Sequence, residues 1–334
     1  MYHEFMKIFI ADAIPNQPVI DIVSGAYSNL DRPITLSINS FKGSLEQSDA
    51  VLIPHDAYDF RSNHNYIKYI DQLSKKKTVI FSDRSDFPIC PKIKNSISLR
   101  VAINPGEGIW NKIVVPYNID SLSHLPLRQY NSQPTIDFTG FVPRITSPRR
   151  FLKSLKRGPR NIIIDNSSMV RLLAINKCKK QLQDFSYTKR NKYFKGTKDH
   201  HQRSLDREEF INNMSTSDII LAPRGDANQS QRFYEALSSG RIVLIPNSRI
   251  IFPSVYLKSE IMKTSLILFN LNEGSLSKRV NDFWHGIQSE NNYYARQKQI
   301  KKFFNEELRF DVFIEKLFSH NIDYIKTLSA FRDR

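Results

Sequence analysis

Short apolar runs punctuate the chain, and amphipathic stretches separate them. Met6–Ala11, Ile34–Ser37, Ala50–Pro54 and Thr78–Phe81 read as strands, each bounded by turn residues or charge. Between the last two, Ile67, Ile70 and Leu73 recur at helical spacing, which predicts a helix over Asn65–Lys77. VAIN (101–104) and KIVVP (112–116) add two more strand-like runs. The polar, proline-containing stretch 121–135 then reads as a linker. A second series starts at Ile136 with IDFTG, NIIID (161–165), DIILA (218–222) and RIVLIP (241–246) as strands. Helices are predicted between them. SPRRFLKSLKRG carries Ser147 as N-cap, Pro148 at the first turn and Gly158 past the end. SSMVRLLAINKCKKQL, REEFINNMSTS and 229–239 follow, the last stopping at Gly240. Residues 183–206 are polar, basic and tyrosine-containing, and are expected to form a long loop. Phe283, Trp284, Ile287, Ile300, Phe303, Phe304 and Phe313 mark a helical tail.

Strands alternating with helices predict parallel sheets covered on both faces. With 334 residues there is room for two cores. The expected class is α/β, two doubly wound Rossmann-like domains, divided as 1–130 and 131–300 with C-terminal helices over 301–334 that pack back on the first domain. The composition, 40% hydrophobic and 25% charged, is that of a globular chain. No apolar run approaches the roughly 20 residues of a membrane helix. The opening MYHEFMKIFIADAIP lacks a small-residue cleavage site, so no secretory leader is expected. Cys90 and Cys178 stand far apart, which suits a reducing compartment and no disulfide framework. A cytoplasmic location is the expectation.

Charge sharpens the picture. The net charge is +16, and residues 141–210 hold 18 Lys or Arg against 6 Asp or Glu. Such a field favours an anionic partner, although a solvated surface explains charge runs equally well.

The stretch APRGDANQSQRFYEALSSGRIVLIP (222–246) carries the candidate chemistry. It completes a strand–loop–helix–strand unit, and ligands of such sheets sit at the strands' carboxyl ends. Gly225 lets the backbone turn and approach a ligand. Asn228 and Ser230 are candidate N-caps. A helix N-terminus offers free N–H groups and about half a positive charge, which suits phosphate. Arg224 and Arg232 add guanidiniums for its oxygens. Glu235 lies roughly 7.5 Å further along the helix axis than Ser230 and can accept both hydroxyls of a ribose. The alternative is a surface pair between Arg232 and Glu235, three residues apart.

In this stretch, LAPRG-x4-SQRFYEALSSGRIVLIP resembles the exostosin-type glycosyltransferases, with weaker agreement through 138–155 and 208–219. The resemblance implies a GT-B fold, two facing Rossmann-like domains with the donor on the second and the acceptor on the first. It implies inverting transfer of a hexosyl or glycuronosyl group from a nucleotide diphosphate, a UDP-sugar being the usual donor, in polysaccharide or glycan synthesis. By it, Arg224, Gly225, Ser230 and Arg232 hold the diphosphate and Glu235 the ribose. The family's Pro-Val turn after the glycine is replaced by Arg241-Ile242-Val243, which concerns the sugar pocket.

Other signatures are absent from the sequence: no Asp-x-Asp, no GxxxxGK[ST], no GxGxxG and no HExxH. Position 227, where a second carboxylate would suggest a retaining enzyme, is Ala. His200-His201 lacks the ligand spacing of a metal site, and no metal or other obligatory cofactor is expected. Inverting transfer needs a general base, expected near a strand end of the first domain. Asp86 and Asp56 are preferred over Asp59, Asp83, Glu107, His55 and His64, against a capping or surface role for each. Arg144 and Arg100 are further candidates for the diphosphate or an acidic acceptor. Expected partners are a nucleotide sugar and a glycan or lipid-linked glycan, with peripheral contact to the inner face of a membrane. Nucleic acid is not expected. Two rivals stand beside this reading: a non-enzymatic polyanion- or nucleic-acid-binding protein built on 141–210, and a homologue that binds sugar nucleotide without turnover.

Overall fold

A computed structural model describes residues 7–10, 44–56, 64–83, 93–103, 111–142, 167–190, 199–225 and 227–330. The chain forms two compact units. One takes the chain up to Asp120, Ile251–Leu257 and everything from Glu306 on; the other takes Ser121–Ile250 and Lys258–Asn305.

The first unit holds five parallel strands in simple order: β1 (Ile8–Ile10), β2 (Ala50–Asp56), β3 (Thr78–Asp83), β4 (Ser96–Arg100) and β5 (Lys112–Val114). Helix α1 (His64–Lys76) joins β2 to β3 and packs Ile70 and Leu73 against Val51, Ile53, Val79 and Phe81. Strand β4 lies ahead of the expected VAIN run. Its sequence SISLR is buried at all five positions, polar ones included, and Ser96 Oγ donates to the Ile93 carbonyl at 2.8 Å. Hydrophobicity alone therefore could not mark it. The strand expected at Ile34–Ser37 lies outside the described residues.

The second unit runs β6 (Ile136–Phe141), α2 (Ser167–Gln181), β7 (Phe185–Arg190), α3 (His200–Thr216), β8 (Ile219–Leu221), α4 (Gln231–Ser238) and β9 (Ile242–Pro246). Helix α5 (Ser254–Leu257) belongs to the first unit, and α6 (Glu260–Ser265) leads into β10 (Leu266–Phe269). All five strands are parallel, in the order β10-β9-β8-β6-β7. The chain moves outward from β6 to β7, then returns to place β8 on the other side of β6. This reversal is a topological switch point, and it opens a crevice at the carboxyl ends of β6 and β8. Residues 183–206 hold β7 and the start of α3 instead of the expected loop. Asp199 caps α3 by accepting from His201 N–H. The expected helix at 147–158 and strand at 161–165 lie outside the described residues.

Phe138, Ile219, Leu221, Ile242 and Leu244 fill the core of this sheet, with Ile175 and Cys178 from α2. Helix α7 (Leu276–His285) adds Val280 and Trp284, and α8 (Glu290–Phe303) adds Tyr293. The tail ends in α9 (Phe310–Phe318) and α10 (Ile322–Ala330). The architecture is therefore α/β, two all-parallel sheets with a helical C-terminus. Among the described residues, no helix is long and apolar enough to cross a membrane.

Candidate functional site at the switch point of the second sheet

Strand β8 ends at Leu221, and the chain passes through buried Ala222 and Arg224 before α4. Ser230 takes the N-cap position in extended backbone (φ −132°, ψ 137°), and its carbonyl accepts from Phe233 N–H at 3.0 Å. Its hydroxyl makes no capping bond, so the hydroxyl stands at the helix start without serving the helix. Asn228 does not cap. Its buried amide joins two loops, donating to the Arg249 carbonyl at 3.0 Å and accepting from Ser248 Oγ at 2.9 Å.

Arg171 of α2 spans the crevice. Its Nη1 donates to the Phe141 carbonyl at the end of β6 (2.9 Å), and its Nη2 to the Arg224 carbonyl beyond β8 (3.1 Å). One buried guanidinium thus fixes the backbone on both sides of the switch point. Arg232 approaches from α4. Its Nη2 donates to the Thr139 carbonyl of β6 at 2.5 Å, and its guanidinium lies 4.5 Å from the centre of the Phe138 ring. Gly140 makes room for this, since a Cβ there would stand 2.4 Å from Arg232 Nη2.

Glu235 is 9% exposed and pairs with Arg207 of α3, Oε1 to Nη1 2.5 Å. In place of the alternative pair within α4, Arg232 with Glu235, each contacts a neighbouring element. Phe210 of α3 separates the two cations, 5.2 Å from Arg207 and 5.8 Å from Arg232. Behind them lies a polar seam. Asp137 accepts from Thr139 Oγ1 (2.9 Å) and Ser186 Oγ (2.8 Å), and Asn213 of α3 donates to Thr139 Oγ1 at 2.6 Å. Burial raises the Asp137 carboxyl above its ordinary range, opposed by the two hydroxyls and by Arg232.

Arg171, Arg224, Arg232 and the amino end of α4 therefore converge where two strands diverge, with a carboxylate further along the same helix. Cations beside a helix amino end form an arrangement suited to an anion with several oxygens.

No protein-family model matches the chain, and no curated protein matches it. Its sheets do resemble solved structures. A glycosyltransferase from Rickettsia africae ESF-5 aligns over 85% of this chain and 90% of its own, with 12% identity and a TM-score of 0.36. HepE from Anabaena, in complex with UDP-glucose, aligns over 86% and 79%, with 8% identity and a TM-score of 0.32. TarM aligns over 80% of this chain but only 53% of its own, with 10% identity and a TM-score of 0.37. What the site can do rests on its own residues.

Of the expected site residues, Arg224, Gly225, Ser230, Arg232 and Glu235 fall in this one region of the second unit. Arg144 and Asp86 lie outside the described residues, as do Asp59 and Glu107. Asp56 is the last residue of β2, in register with Ser82. Arg100, the other candidate for the diphosphate or an acidic acceptor, is fully buried at the end of β4. His200 and His201 are exposed on the first turn of α3. No cluster of three or more metal-ligating side chains occurs among the described residues.

Arg241 also departs from expectation. It precedes β9, at the end of that strand opposite the site, and is fully buried. It donates to the carbonyls of Pro126, Met214, Ser215 and Ser239 and to Gln297 Oε1. Arg241 is an architectural clamp at that end of the sheet. Arg171 and Arg207 were not evident beforehand. Both lie in the basic segment 141–210, and no local spacing distinguishes them from its other cations.

Proposed function

We propose that the second unit binds a nucleoside diphosphate sugar at this switch point and that the protein is a glycosyltransferase of GT-B type, exostosin-like in its donor helix. One observation carries the reading: Arg171, Arg224 and Arg232, from α2, the β8 loop and α4, meet at the carboxyl ends of β6 and β8 with Glu235 behind them. The diphosphate sits on the amino end of α4, with Gly225 and Ser230 beside it, and the ribose hydroxyls reach Glu235. The donor is a UDP-sugar, as HepE's bound UDP-glucose and the exostosin resemblance suggest.

In the transfer, an acceptor hydroxyl of a glycan or lipid-linked glycan attacks the anomeric carbon with inversion. The bond to the diphosphate oxygen breaks, and the guanidiniums and helix end take up the negative charge that develops there. Asp56 and Asp86 are the proposed bases for the hydroxyl proton, and Arg144 a further diphosphate contact. Positive charge already lies at the leaving group, so no resident cofactor is invoked. Exchange of Asp for Asn at the true base is expected to lower kcat at nearly unchanged donor KM.

The test is saturation-transfer NMR with UDP, GDP and their sugars on the wild type and on Glu235→Ala. Selective nucleotide signals that fade in the variant, with the fold intact by circular dichroism, are the expected result. Normal nucleotide binding by the variant removes the ribose assignment. Tight, salt-steep binding to polyanions without any nucleotide signal returns the function to the basic segment.

A further inference from the structure

We infer that Arg249 is an additional binding residue of this site, a cation that closes on the outer phosphate of the diphosphate from the β9 side. The inference rests on the nucleotide reading above.

Arg249 follows β9 by three residues and is exposed, while Asn228 and Ser248 beside it are buried. Its backbone is left-handed (φ 56°). The other described non-glycine residues of positive φ are Asn95, Asn111 and Gln288, all amides. Asn tolerates that region through its short polar side chain; an arginine gains nothing from it locally. Departures of this kind cluster where a side chain must be aimed.

The backbone that carries the side chain is fixed by named bonds. The Asn228 amide holds the Arg249 carbonyl and the Ser248 hydroxyl, and Arg249 N–H donates to Asn247 Oδ1 at 3.2 Å. Asn228 is two residues ahead of Ser230, in the loop where the diphosphate is placed. These bonds join the two loops, and the arginine side chain is exposed outside them.

Direction follows from Glu235. Its partner Arg207 stands on α3, the helix that enters β8 from the β7 side. A ribose on Glu235 therefore lies on the α3 side of α4. The rest of the ligand leaves on the opposite side, toward β9, where Arg249 stands. The phosphate next to the ribose meets Arg232 and the helix end, and the outer phosphate meets Arg249.

Calorimetric titration with UDP and UMP, on the wild type and Arg249→Gly, tests this. Glycine adopts the left-handed conformation without strain, so the melting temperature is expected to hold or rise. UDP affinity is expected to fall about ten- to a hundredfold, the loss of one charge-assisted contact, while UMP affinity holds. An unchanged ratio of UDP to UMP affinity, or an equal loss of both, overturns the role of Arg249 and leaves the nucleotide site standing. A wild type that binds neither overturns the nucleotide reading, and Arg249 falls with it.

Discussion

Arg232 and Arg171 show how little room the site leaves to single side chains. Arg232 reaches the Thr139 carbonyl only because residue 140 has no Cβ. Gly140→Ala is expected to push the guanidinium off that carbonyl. The far end of an arginine yields easily, but the backbone at residue 140 has φ 158°, where a side chain is strained, so thermal stability is expected to fall along with nucleotide affinity. Calorimetry on the variant checks both. Arg171 is less forgiving. Removing it strands two carbonyls at the switch point, so Arg171→Ala is expected to cost about 2 kcal/mol of stability in urea unfolding, together with nucleotide affinity. The spacing of Ser230, Arg232 and Glu235 makes α4 legible in the sequence as a candidate phosphate helix. Arg171 and the partners Thr139 and Arg207 are not legible there, because each arrives from a distant element by tertiary packing.

Elements that bury apolar residues were the readable ones. DIILA, RIVLIP and the α4 stripe of Phe233, Ala236 and Leu237 behave as their patterns require. Strand β7 did not announce itself. FSYTKR lies at the sheet edge with every residue half-buried or exposed, so it carries loop-like composition. It matters because Ser186, in register with Asp137, supplies half of that carboxyl's hydrogen bonds. The folded state raises the Asp137 pKa above its unfolded value of about 3.9. Its contribution to stability is therefore complete below that value and is lost as pH rises through the folded pKa. Asp137→Asn, which has no proton to lose, should match the wild type in acid and gain on it toward neutral pH. Unfolding free energies measured across that range decide the matter, and a parallel pair of curves would contradict it.

At the scale of the whole molecule, the second unit is locked at the end of its sheet away from the site. Asp218 accepts from Thr135, Arg128 and Tyr293, and Gln297 joins Arg241 to the backbone of Arg128. Burial and the neighbouring Asp218 carboxylate raise the Tyr293 phenol, and burial lowers Arg241 to about 10, still protonated at neutral pH. Stretch 121–135 reads as a linker in composition, yet Lys301 holds the carbonyls of Ser123 and Leu125. Asp218→Ala is expected to cost about 3–5 kcal/mol, since it leaves buried partners without their anion, as a shift of the denaturation midpoint would show.

The strand order has a consequence in time. β6 pairs Ile136 with Phe185 of β7, but waits for Ile219 of β8, which lies further along the chain. A chain that has folded only as far as β7 owns one wall of the crevice and none of α4. The proposed phosphate seat thus rests on non-local contacts such as Arg232 to Thr139, 93 residues apart, which cost loop-closure entropy before they form. A ligand that binds there holds the finished structure and offers nothing to the climb toward it. Nucleotide added during refolding should slow unfolding and leave the folding rate where it was.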